Sequence, residues 1–263
     1  MRLRELRPHL LDLLRGPGWR QGLSGVLAMP AKALSGALFS LILHEDELVR
    51  FRAAEAFGVV LADLAGRDME GARVVMRGML WRMNEESGGI GWGVPEAMAC
   101  AMAESPALAR EYHAILLSYI HKHHGVCHGI FVDNPTLRRG VLWGIARLAE
   151  ARPGLAVKAV PDLLEVLDPG QALEGREGTP ESPECHDAFS RGLACLALAR
   201  LAAAGTALPG RAMTSVAAWR GDAAELTVYQ DDGLRRTTAG ELAAEALARM
   251  EETMGEKASA PRF

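Results

Sequence analysis

The densest group of side chains able to do chemistry is "HKHHGVCHG", residues 121–129, with His121, His123, His124, Cys127 and His128 close together. Imidazole and thiolate are the usual ligands of zinc and similar metals. A second pair, Cys185-His186, lies further along the chain. If the two connections share one edge of a helical array, Cys127, His128, Cys185 and His186 make a four-ligand set for zinc or another transition metal. The alternative is a polar helix end, where histidine is favourable beside the carbonyl pole of the helix. The spacing has no C-x2-C with a paired histidine motif, and no C-x-x-C-H of covalently held haem.

A second candidate is "WRMNEESGGIGWGVPEAMA", residues 81–99. Its glycines could turn backbone amides toward a phosphate. A P-loop, however, needs Lys-Ser/Thr after its last glycine, and a dinucleotide fingerprint needs a preceding strand. Neither is present, and Glu85 and Glu86 would repel phosphate. Two readings stay open. One is a hinge, with a glycine in the left-handed region closing one helix and Trp81 and Trp92 packed in a seam. The other is a recognition surface around Glu85, Glu86 and Trp92. No G-x-S-x-G nucleophile elbow occurs. No catalytic set is complete, so a noncatalytic protein without an obligatory cofactor is expected.

The elements that must position these residues are legible from their start signals. Asp46 precedes "ELVRFRAAEAFGVVLADLAG", which has apolar residues at helical spacing. Ser105-Pro106, Asn134-Pro135 and Ser182-Pro183 each join a capping side chain to a proline at the first helical position, where no amide donor is missed. Arg152-Pro153 ends one helix and begins another. The run Val26–Leu43 approaches membrane-spanning length, but Pro30 and Lys32 interrupt it, so no membrane span is expected. Near the C-terminus, "AELTVYQDDGLRRTT" reads as a β-hairpin over 225–238 turning at Asp232-Gly233, placed to cover the end of the helical array. Thr238-Ala239-Gly240-Glu241 then has the spacing of a capping box for the last helix. The acidic stretch 167–187 reads as a long solvated loop.

Three helical segments resemble one another: "LVRFRAAEAFGVVLA" (48–62), "LRRGVLWGIARLA" (137–149) and "FSRGLACLALARLA" (189–202). Each carries a basic residue near its start and then small and large apolar residues in alternation. The first, through Asp46, Val49, Arg50, Ala53, Ala54, Ala56 and Gly58, resembles the second helix of a HEAT-like repeat of the phycobilin-lyase type. The resemblance implies an all-α, armadillo-type α-solenoid. The chain reads as one domain over 1–255, and the short polar stretch 256–263 as a flexible tail. Such folds imply interaction scaffolds. HEAT-like di-iron hydroxylases carry several His-Glu pairs; here there is one, His44-Glu45, which reads as a polar turn. HEAT-like DNA glycosylases use a basic face, which Arg138, Arg139 and Arg147 with Trp143 imitate only in part.

Composition narrows the function. Of 263 residues, 49% are apolar and 5% aromatic, enough for a core of closely packed helices. The net charge of −4 argues against a nucleic-acid partner. Four scattered cysteines fit a reduced, cytoplasmic protein better than a disulfide scaffold. The expected function is a noncatalytic scaffold for a protein or peptide. Arg50, Arg138, Arg139, Trp92 and Trp143 are its expected surface anchors, because arginine and tryptophan dominate interface energetics. The alternatives are metal binding through the Cys/His set and, by fold analogy, a lyase- or chaperone-like role for a cofactor-bearing partner.

Overall fold

A computed structural model describes residues 3–84, 91–121, 132–168 and 187–259. These residues are mostly helical. In chain order the helices are α1 (Leu3–Arg15), α2 (Trp19–Leu23), α3 (Ala31–Leu41), α4 (Glu47–Arg67), α5 (Met69–Met83), α6 (Val94–Glu104), α7 (Pro106–Ser118), α8 (Pro135–Ala151) and α9 (Pro153–Ala156). A 3-10 turn (Val157–Ala159), α10 (Val160–Val166), α11 (Ala188–Ala203) and α12 (Arg211–Ala217) follow. Strands β1 (Glu225–Gln230) and β2 (Gly233–Thr238) lead into α13 (Ala239–Ser259).

The caps read from the sequence set the helix starts. Asp46 Oδ1 accepts the amides of Leu48 and Val49 at 3.0 and 3.4 Å. Asn134 Oδ1 accepts those of Thr136 and Leu137 at 3.0 and 3.2 Å, and Ser105 Oγ accepts that of Leu108. The capping box is reciprocal: Glu241 donates its amide to Thr238 Oγ1, and Thr238 donates its amide to Glu241 Oε2, both at 3.1 Å. The start expected at Ser182-Pro183 lies outside the described residues; α11 begins at Ala188, capped by Asp187. Pro30 ends the apolar run as the residue that caps α3. Among the described residues no helix is long and apolar enough to cross a membrane.

Five helices pack in succession, α4 on α6, α6 on α8, α8 on α11 and α11 on α13. The three self-similar segments are therefore α4, α8 and α11 of one row. A second set packs alongside: α3 and α5 on α4, α7 on α6, α10 on α11 and α12 on α13. Small residues let the row close tightly. A Cβ added at Gly58 of α4 would lie 2.7 Å from the Cys100 carbonyl carbon of α6. Gly58→Ala must therefore push the two backbones apart. We expect it to lower unfolding free energy by about 1–3 kcal/mol, despite alanine's better helix propensity. Urea denaturation measures this, and an unchanged midpoint would show that α4 and α6 separate without cost.

The hairpin departs from expectation in place and in register. Gln230 pairs with Gly233, so the two-residue loop is Asp231-Asp232 rather than Asp232-Gly233. Both residues have positive φ, 49° and 62°, the signature of the primed turn that suits the right-handed twist of the strands. The hairpin does not stop at the end of the array. β1 packs on α11 and β2 on α13, while the tip reaches Trp19 of α2 and Arg52 of α4. It ties the C-terminal part of the chain to the N-terminal part.

Candidate functional site

Where the hairpin tip meets the helix row, charged and aromatic residues converge. Phe51 of α4 stacks on Tyr229 of β1 with ring centroids 4.9 Å apart and planes 1° from parallel. Trp143 of α8 packs against both rings and donates its indole N–H to the Tyr229 carbonyl oxygen at 3.1 Å. Over this aromatic layer lies an ionic one. Asp232 Oδ1 accepts from Trp19 Nε1 at 2.8 Å, Arg52 Nε at 3.0 Å and the Tyr229 hydroxyl at 3.1 Å. Arg52 also donates to the Leu14 and Gly16 carbonyl oxygens at 2.8 and 3.2 Å. Tyr229 shares its one phenol proton between Asp232 and Glu55 Oε2, the latter 2.9 Å away, and Arg20 pairs with the same Glu55 oxygen.

The electrostatics follow from burial set against partners. Burial pushes the Glu55 carboxyl up; Arg20, Tyr229 and Arg147 offset part of this, and Asp232 adds to it. Burial also acts to raise Asp232, but the Trp19 and Tyr229 hydrogen bonds and the Arg52 charge together hold it below the usual carboxylate range. Burial and the two neighbouring carboxylates push the Tyr229 phenol up, so it remains a donor at neutral pH.

Beside this network a cleft of about 280 Å³ opens, lined by Arg20, Glu55, Arg147, Glu150, Arg200 and the hairpin tip. Arg147 and Arg200 approach the same Glu150 oxygen, at 3.6 and 3.3 Å, and Arg147 approaches Glu104 at 3.5 Å. These separations exceed the 2.7–2.9 Å of a good charge-assisted hydrogen bond. Arg147 Nε and Arg200 Nη1 are out of solvent and have no hydrogen-bond acceptor. Those two N–H groups do not open into the cleft; what lines it is the partly exposed remainder of the two guanidinium groups, met only at long range by Glu150 and Glu104.

The residues expected from the sequence are spread over several places. Arg138 is 5% and Trp143 4% exposed, so neither stands at the surface as an anchor. Arg138 points back to donate to the Val132 and Asp133 carbonyl oxygens at 3.3 and 3.0 Å, and Trp143 lies beneath the hairpin. Arg139 clamps Asp187 through two 2.8 Å hydrogen bonds and lies over the Phe189 ring, joining α8 to the start of α11. Arg50 pairs with Glu47 at 2.9 Å, one turn away on α4. Trp92 is 45% exposed and Trp81 63%, so neither fills the seam expected of it. The other three indoles have acceptors: Trp19 on Asp232, Trp143 on Tyr229 and Trp219 on Leu167. The left-handed glycine beside Trp92 is Gly93, which caps the start of α6 rather than the end of α5. A Cβ there would lie 2.5 Å from the Ile42 carbonyl oxygen.

Glu85, Glu86, Cys127, His128, Cys185 and His186 lie outside the described residues, as do His123 and His124. Among the described residues no three His, Cys, Asp or Glu side chains are grouped to hold a metal ion. His121, at the edge of that segment, faces Asp162 Oδ1 at 2.7 Å. Cys100 and Cys195 are buried free thiols, and burial pushes Cys195 up to about 12, so it is a core residue without thiolate character.

The sequence missed Arg20, Arg52, Glu55, Tyr229 and Asp232. Their partners are distant in the chain, up to 213 residues for Trp19 and Asp232, and no local spacing encodes such a meeting. The one available signal was an acidic hairpin turn where asparagine and glycine are the usual residues.

No family model and no curated protein matches the chain. Among solved structures, an engineered protein from the Northeast Structural Genomics Consortium is similar over 94% of this chain and 97% of its own, at 12% identity and a TM-score of 0.41. That likeness assigns no function.

Proposed function

We propose that this protein is a noncatalytic, HEAT-like helical-repeat module that binds a protein partner in the cytoplasm. The observation that carries this reading is the exposure of Trp81 and Trp92, two large apolar side chains in a chain whose other three indoles are buried or half-buried and hydrogen-bonded. Large aromatics left in water are the usual anchors of an interface. They flank one connection, since a Cβ added at Gly91 would lie 3.0 Å from the Arg82 carbonyl oxygen. Leu43, also exposed, follows the Ile42 carbonyl that Gly93 packs against. The repeat reading draws support from the succession α4–α6–α8–α11–α13, in which self-similar helices recur in one row. The noncatalytic reading draws support from the ionic cluster, where Arg20 pairs with Glu55 and Arg52 with Asp232.

Affinity capture from cell extract with the wild-type protein and with Trp81→Ala/Trp92→Ala tests the proposal. Both side chains are exposed, so the double variant should unfold at the same denaturant concentration as wild type. It should lose specific partners that wild type retains. Recovery of the same partners with both proteins, or of none with either, overturns the reading.

A further inference from the structure

We propose that the cleft between the hairpin tip and helices α4, α8 and α11 binds a small zwitterion, a free α-amino acid. The inference does not depend on the protein-partner reading. It rests on a charge pattern that remains after the internal pairs are cancelled. Arg20 is matched by Glu55, and Arg52 by Asp232. What is left lining the cleft is Arg147 and Arg200 on one side of the balance and Glu150 and Asp231 on the other. Arg147 and Arg200 share one oxygen of Glu150 at 3.6 and 3.3 Å, and their side chains remain 20% and 18% exposed beside the cleft. A planar carboxylate is the ligand that a guanidinium fork engages best, through parallel N–H···O hydrogen bonds.

The acidic side decides what else the ligand carries. Asp231 stands at the left-handed first position of the turn, exposed and lining the cleft, and Glu150 is exposed at the end of α8. Two carboxylates at the mouth repel a phosphate or a dicarboxylate, because like charges at close range disfavour the second anion. They attract an ammonium group. A ligand with one carboxylate and one ammonium satisfies both sides and leaves the net charge of the cleft unchanged. The volume of about 280 Å³ is near the lower end for small-molecule sites, which excludes cofactor-sized ligands and suits a single amino acid.

Isothermal titration calorimetry of the full chain tests this, with the proteinogenic L-amino acids as probes. Acetate, methylammonium and inorganic phosphate at matched ionic strength serve as partial mimics. At least one amino acid is expected to bind one to one with Kd below about 1 mM, while each partial mimic binds at least about tenfold more weakly. Arg200→Met should weaken the amino acid by about tenfold or more. Asp231→Asn is a second variant that keeps the turn, since asparagine tolerates positive φ, and it should weaken the amino acid through its ammonium end. The proposal is overturned if no amino acid reaches that affinity, or if phosphate or acetate binds as tightly as the best one. It is also overturned if Asp231→Asn binds as wild type does.

Discussion

Asp232→Ala is expected to lower the unfolding free energy by about 3–5 kcal/mol, because it leaves two buried donors, on Arg52 and Trp19, without their shared acceptor. The value follows from what is left behind. Arg52 is buried, and its Nε loses the carboxylate 3.0 Å away, while the guanidinium keeps the carbonyl oxygens of Leu14, Gly16 and residue 232 itself. Trp19 is wholly buried, and its indole N–H loses its acceptor. The residue also sits at φ 62°, where alanine is strained. Against a typical domain stability of about 5–15 kcal/mol this is a large fraction. Asp232→Asn separates the contributions. It keeps the turn and an acceptor oxygen while removing the charge, so it should lose about 1–2 kcal/mol. Urea denaturation followed by Trp fluorescence and circular dichroism measures both. Equal, small losses in the two variants would show that the tip is not what joins α2 and α4 to the hairpin.

The same residue has a pH signature. Its carboxyl is held below the ordinary value of 3.8, so its stabilisation is complete above that value and is lost as pH falls through the lower folded one. Wild type should therefore lose stability in acid more steeply than Asp232→Asn does. Identical acid limbs would remove the charge pair from the account.

What the sequence makes legible depends on the range over which each feature acts. Caps act within three or four residues, so Asp46, Ser105, Asn134 and the Thr238–Glu241 box were read correctly from spacing alone. Spacing places the hairpin at 225–238, yet its loop is one residue earlier than Asp232-Gly233. The aspartate-glycine signal is local, whereas the choice of loop is settled by Asp232 bonding to Trp19 and Arg52 far away. The same limit explains the anchors. Arginine and tryptophan types are shared by interfaces and by buried networks. Nothing in "LRRGVLW" distinguishes Arg138, which folds back onto carbonyls, from Arg139, which reaches Asp187. The helical class followed from periodicity, a property of every turn. The cleft followed from none, because it is assembled from α4, α8, α11 and β1.

The second large effect concerns Glu96, and its sign opposes the acid limb of Asp232. By sequence it is an acid in the first turn of α6, where the helix dipole favours the charged form. Burial outweighs this. Its carboxyl lies against Gly140 of α8, where an added Cβ would be 2.7 Å from Oε2, and Oε2 is out of solvent with no hydrogen-bond partner. Burial pushes Glu96 up to about 7; the hydrogen bond from its own amide and the Arg50 charge offset part of this, while Glu47 adds to it. With a raised folded value, the folded state holds a proton that the unfolded state gives up above 4.5. Stability therefore declines from about pH 4.5 to about pH 7 and then levels. Part of the side chain reaches solvent, so the decline amounts to about 1–3 kcal/mol rather than the full shift. Glu96→Gln keeps the shape and removes the titration. The difference in stability between variant and wild type should thus grow by that amount between pH 4.5 and 8. Any pH-independent cost of burying the amide cancels in that comparison. Parallel curves across the range would mean that Arg50 or bound water meets the charge after all. The growing gap would assign Gly140 a role as the space that houses a carboxylic acid.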